Sequence, residues 1–109
     1  MILIIKIRAD EKTLKHVAQD LKGYIKVVVD VDKKILAAGG LKHVDAEQLL
    51  LENGSQQEHL WGGGLDLDTL EIDFDSMINL RPNQQNTSRE VLDQNIRKTI
   101  EKIIRDLLR

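Results

Sequence analysis

Cysteine is absent from this chain of 109 residues, which excludes disulfides and thiolate zinc sites outright. Aromatic side chains are nearly absent as well, with one Phe, one Tyr and one Trp. The core must therefore be Ile, Leu and Val, and the paired stacking aromatics of single-strand nucleic-acid readers are missing. Neither sign of charge dominates: 16 Lys and Arg against 18 Asp and Glu leave a formal net charge of −2. Such a balance offers no field to draw nucleic acid or an anionic membrane. No stretch approaches the ~20 apolar residues of a membrane span. The opening run Met1–Ile5 is too short for a signal-peptide core and lacks basic residues before it. No GxGxxG, Walker or HExxH pattern occurs. These exclusions leave the expectation of a soluble cytoplasmic domain that binds neither nucleic acid nor membrane.

What is present reads as alternating strands and helices. Ile2 to Ile7 is rich in β-branched residues and predicts a buried strand. Asp10 can cap a helix whose Leu14, Val17, Ala18 and Leu21 share one face, and Gly23 ends it. Ile25, Val27, Val29 and Val31 alternate with polar residues, and Ile35–Ala38 follows Lys33-Lys34, as two strands around a tight turn would. Asp45 and Gln48 match a capping box opening a helix through Leu51, closed by Asn53-Gly54. A strand from Glu58 to Leu67 follows, interrupted at Gly62-Gly63-Gly64, with Asp66–Thr69 as the turn. Alternation from Leu70 to Arg81 then predicts an unusually long strand that Pro82 ends. Leu92, Ile96, Ile100, Ile103 and Leu107 mark a last amphipathic helix. It starts at the Thr87–Glu90 box or at Asp93, and Arg105 and Arg109 suit the negative end of its dipole. The order βαββαβ-β-α within one domain, residues 1–109, predicts a two-layer α+β fold. Three helices pack on one face of a mostly antiparallel sheet, with a ferredoxin-like core the most economical topology.

Several constellations could carry chemistry. Asp66, Asp68, Glu71, Asp73 and Asp75 form an acidic stripe. Alternate strand residues stand roughly 6.5–7 Å apart, so the stripe cannot close on a cation unaided, and a solvated or edge-protecting face is preferred. His43, His59 and Asp75 would suffice in number for a metal or an acid–base set, but no tight spacing joins them and no metal is assigned. Gly62–Gly64 leads into a strand rather than a helix N-terminus, unlike a phosphate loop. Trp61 reads as a core or interface anchor before a stacking platform. No serine or threonine stands beside a histidine, so nucleophilic catalysis has no support. Catalysis is left undecided, and no cofactor is implied.

Two polar runs remain, Asn53–His59 and Asn79–Arg89. Loops this dense in hydrogen-bonding groups concentrate binding residues. On a continued strand Asp75, Asn79 and Arg81 share a face. Arg81 would hold an anion, Asn79 would orient it, and Asp75 would position Arg81 or act as a base. Glu58, His59 and Ser88 complete a candidate pocket, around 54–62 and 74–89, for a small anionic or polar ligand. In the plainer alternative Arg81 pairs with Asp75 or Glu58 and the amides satisfy loop backbone. A reading from another class is a non-catalytic module that forms a homo-oligomer through its C-terminal helix. There Val91-Leu92, Ile103-Ile104 and Leu107-Leu108 broaden the apolar stripe beyond what a small sheet covers.

The segments Gly54-Ser55-Gln56-Gln57-Glu58-His59-Leu60-Trp61-Gly62 and Phe74-Asp75-Ser76-Met77-Ile78-Asn79-Leu80-Arg81-Pro82 add a resemblance. In order and spacing they resemble a family of short prokaryotic proteins catalogued as a domain of unknown function. The similarity spans nearly the whole chain, terminal helix included. It implies a stand-alone cytoplasmic protein, and it carries no reaction, cofactor or substrate to any residue.

Overall fold

The computed structural model describes residues 1–108, so the dipole role expected of Arg109 lies outside the described residues. The elements follow the expected order: β1 (Ile2–Ile5), α1 (Glu11–Ala18), β2 (Tyr24–Asp30), β3 (Ile35–Gly39), α2 (His43–Glu52), β4 (Leu60–Asp66), β5 (Ile72–Asp73) and α3 (Gln94–Leu108). The fold is α+β, three helices on a five-stranded antiparallel sheet ordered β1-β3-β2-β4-β5. β3 lies between β1 and β2, as in the first half of a ferredoxin-like core. β4 then joins the free edge of β2, pairing Tyr24–Asp30 with Asp66–Leu60, an edge nearly twice as long as the four residues of β1.

That strand order decides where the helices go. The crossovers β1-α1-β2 and β3-α2-β4 step the same way across the sheet, yet β1 and β3 run in opposite directions. Right-handed crossovers therefore place α1 and α2 on opposite faces. Alternate side chains of β2 confirm it. Val27 and Val29 pack with Val17 and Ala18 of α1 and with Ile100, Ile103, Ile104 and Leu107 of α3. Val28 packs with Ala46 and Leu50 of α2 and with Leu60. Sheet, α1 and α3 make the expected pair of layers, and α2 covers the reverse face instead of joining them. Most of the apolar stripe on which self-association was expected, Val91, Ile100, Ile103, Ile104, Leu107 and Leu108, packs into this core, while Leu92 ahead of α3 stays 49% exposed.

The boundaries moved for local reasons. β1 stops at Ile5, and Ile7 is exposed. α1 is capped by Asp10, which accepts from the Thr13 amide, and ends at Ala18, with Leu21 in the following turn. α2 starts two residues before the Asp45 box, at His43, with no side-chain bond from its N-cap Lys42. Its first turn is instead fastened by His43 Nε2 to the Gly63 carbonyl at 2.7 Å. For α3 the later start is the real one: Asp93 Oδ1 accepts from the amides of Asn95 and Ile96. β4 runs unbroken through its three glycines, where side chains would not fit. A Cβ on Gly62 would stand 2.5 Å from Ser76 Cβ, and one on Gly64 would overlap the Tyr24 ring.

The long strand expected from Leu70 to Arg81 is the largest departure. Only Ile72 and Asp73 pair with β4, after which the chain turns through short 3-10 segments at Met77–Asn79 and Pro82–Gln84. The alternation survives in the sequence, but a side chain takes over the ladder. Asn79 Oδ1 accepts from the Gly62 amide at 2.8 Å, and its Nδ2 donates to the Gly62 carbonyl at 2.9 Å. A carboxamide thus imitates a peptide group along the open edge of β4.

Candidate functional site

Three residues of the polar run from Asn79 to Arg89 turn inward, and most of the others stay on the surface. Asn79, fully buried, shares its Nδ2 among the carbonyls of Gly62, Phe74 and Arg89. Asn86, also buried, bonds the carbonyls of Asn79, Ser88 and Glu90 and accepts from the Leu92 amide. These two carboxamides close a loop that has almost no regular ladder of its own. Arg81, 8% exposed, completes the clasp. Its Nε donates to the Ile78 carbonyl, Nη1 to the Gln57 carbonyl and to Gln84 Oε1, and Nη2 to the Leu60 carbonyl. The guanidinium stacks on Trp61, 4.6 Å from the ring centroid, which makes that tryptophan a core anchor. Burial lowers the Arg81 pKa from its ordinary value, opposed by the carboxylate of Glu47 on α2. Glu47 itself is buried, with Oε2 lacking a hydrogen-bond partner.

The other candidates divide. Without a continued strand, Asp75, Asn79 and Arg81 no longer share a face. Asp75 is exposed and pairs with Arg89 at 3.2 Å, not with Arg81. Ser88 Oγ accepts from the Glu90 amide, a loop-closing bond. Glu58 and His59 sit on a 3-10 turn (Gln57–His59) ahead of β4 rather than in the strand. Four bonds hold the main chain of this turn and the residue after it. Arg81 reaches the carbonyls of Gln57 and Leu60, Gln84 Nε2 reaches that of Glu58 at 3.0 Å, and the Val31 amide reaches that of His59 at 3.0 Å. The side chains of Glu58 and His59 make no hydrogen bond or ion pair among the described residues.

The set His43, His59 and Asp75 does not converge. His43 meets Gly63 while His59 precedes Leu60, so the imidazoles stand at different heights along β4. A carbonyl only accepts, so His43 carries its proton on Nε2. Burial, the main cause, keeps its pKa below the ordinary 6.5. Among the described residues the donor atoms that do converge belong to Asp30, Asp32 and His59, all within 4.8 Å of one another. In the sequence Asp30 and Asp32 are two of the polar residues that alternate with Val29 and Val31. The only signal was an Asp-x-Asp pair at a strand end, which turns use constantly.

A family profile described as a protein of unknown function (DUF5674) matches residues 3–107. The chain belongs to this family. Both segments that carried the resemblance lie inside the DUF5674 match, and the structure gives them complementary parts: 74–82 builds the clasp, and 54–62 contains the turn that it grips. No curated protein and no solved structure matches the chain. No helix among the described residues is long and apolar enough to cross a membrane.

Proposed function

We propose that the protein binds a small polar ligand on the turn formed by residues 57–60, with the clasp of Asn79, Arg81 and Asn86 as its scaffold. One observation carries this reading. The main chain of the turn is fixed by donors from two other segments, while the Glu58 and His59 side chains have no partner among the described residues. Fixing backbone in order to present an uncommitted acid and imidazole removes ordering cost from binding, which is how recognition surfaces are built. Asn79, Arg81 and Ser88 support the loops, and Asp75 pairs with Arg89 on the loop surface. An anion has little to hold it at Arg81, because four donor bonds of the guanidinium already go to protein oxygens.

The test is an amide NMR titration of the protein with small polar compounds, among them amino acids, sugar phosphates and nucleotides, in the presence of a chelator. Saturable shifts should centre on Gln57–Leu60. Glu58→Ala and His59→Ala should remove them with melting temperatures within roughly 3 °C of wild type. Shifts centred on another surface, or shifts indifferent to both substitutions, would overturn the proposal.

A further inference from the structure

Asp30, at the end of β2, is wholly buried, and every group that bonds it is neutral. Its Oδ1 accepts from the amides of Asp32 and Lys33 at 3.0 and 2.9 Å, and its Oδ2 from Ser55 Oγ at 2.6 Å. Among the described residues no ion pair involves it. The ammonium of adjacent Lys33 is placed on the Gly54 carbonyl at 2.9 Å. The turn between β2 and β3 does not require that charge. An asparagine oxygen would take the same two amides, and its NH2 could donate to Ser55 Oγ. Three neutral donors satisfy the carboxylate, and a cation beside such a buried group would stabilise it further. Beside it lie a second carboxylate, Asp32, exposed to solvent, and the half-buried imidazole of His59.

We infer that Asp30, Asp32 and His59 form a binding site for a divalent transition-metal ion, zinc before manganese. Metal–ligand bonds of about 2.0–2.2 Å put donors roughly 3–4 Å apart. Separations of up to 4.8 Å therefore close with small side-chain rotations. Two carboxylates neutralise the ion, and the mixed oxygen and nitrogen set suits zinc better than calcium or magnesium, which take oxygen ligands. Three protein ligands leave a position for water or for an incoming group. Ser55 would orient Asp30 from behind the site, as outer-shell partners of metal ligands do. The two contributing segments are fixed to each other by the Val31 amide on the His59 carbonyl and by the Asp30–Leu60 pairing of β2 and β4. This inference rests on the ligand-facing role of the 57–60 turn and names the chemistry of one occupant.

The experiment is titration of the chelator-treated protein with Zn2+, read by calorimetry and thermal shift, and with Co2+, read by visible absorption. Wild type should bind one equivalent of zinc, rise in melting temperature and give d–d bands with cobalt. Asp32→Asn and His59→Ala should lower zinc affinity at least tenfold and lose the cobalt bands, and Ser55→Ala should weaken zinc about tenfold. Asp30→Asn is the decisive variant: without metal it should melt no lower than wild type, yet fail to bind zinc. His16→Ala should change nothing. Zinc binding that survives in Asp30→Asn and His59→Ala, or no thermal shift at millimolar zinc, would overturn the site. If zinc fails while small polar compounds still shift the amides of Gln57–Leu60, the cation falls and the ligand-facing turn stands. If neither moves those amides, both fall.

Discussion

The two polar runs look alike in sequence and do opposite things in space. In 79–89 two amides, Asn79 and Asn86, and the Arg81 guanidinium turn inward onto main-chain carbonyls. Residues 57–60 keep their main chain held and leave an acid and an imidazole without a partner among the described residues. Density of hydrogen-bonding side chains therefore does not distinguish a scaffold from a binding surface. What distinguishes them is how many backbone groups nearby lack partners in a regular ladder. Where β5 stops after Asp73, the loop leaves many, and Asn79, Arg81 and Asn86 absorb them.

The contrast can be broken at its strongest point first. Asn79→Ala leaves the Gly62 amide and several buried carbonyls without their partner. It should cost about 3–5 kcal/mol in urea unfolding, near the limit of a single substitution. Arg81→Ala removes four bonds and the stack on Trp61 and should cost about 2–4 kcal/mol. Its expected secondary effect is line broadening at the amides of Gln57–Leu60, since the turn loses two of its fixings. If Arg81→Ala instead left stability unchanged, the guanidinium would be a ligand group after all, and the division between the two runs would fail.

A smaller effect should follow pH. Burial holds the His43 pKa below its unfolded value of 6.5, so between the two values the unfolded chain binds more protons than the folded one. Stability from this group is present above pH 6.5 and is lost as pH falls towards the folded value. Denaturant midpoints measured downward from pH 7 should decline in wild type and decline less in His43→Gln. The smallest change belongs to the exposed Asp75–Arg89 pair. Asp75→Asn should shift stability by no more than about 0.5 kcal/mol, and by less in high salt.

The element order and the aliphatic core were legible because periodicity is a local property of the chain. The alternation of Ile25, Val27, Val29 and Val31 marked β2 as a strand but overlooked Val28 and its second buried face, and the side on which β4 joins β2 depends on edge lengths and crossover handedness. The false strand from Leu70 to Arg81 has a plain cause. In-and-out burial does continue through Phe74, Asp75, Ser76 and Met77, but the ladder with β4 ends at Asp73, and Ser76 and Asn79 then serve backbone groups with their side chains. At the candidate site the sequence showed Glu58 and His59 as the end of a polar run, though it set them at the head of a strand instead of on a turn. It gave no means to pair His59 with Asp30 and Asp32, which approach it only through the β2–β4 register. Glu47 escaped because a glutamate on a helix is ordinarily solvated.

The twofold burial of β2 has an outcome of its own. Along Ile25–Val29 nearly every side chain is greasy, so sliding the strand one notch against its neighbours would still bury hydrocarbon on both sides. Alignment has to be enforced from the extremities. Tyr24 does so at one end, its hydroxyl donating to Asp73 at 2.5 Å, and Asp30 at the other, gripping the hairpin bend and Ser55. Polar punctuation, and not the oily middle, selects a single arrangement from several of similar greasiness.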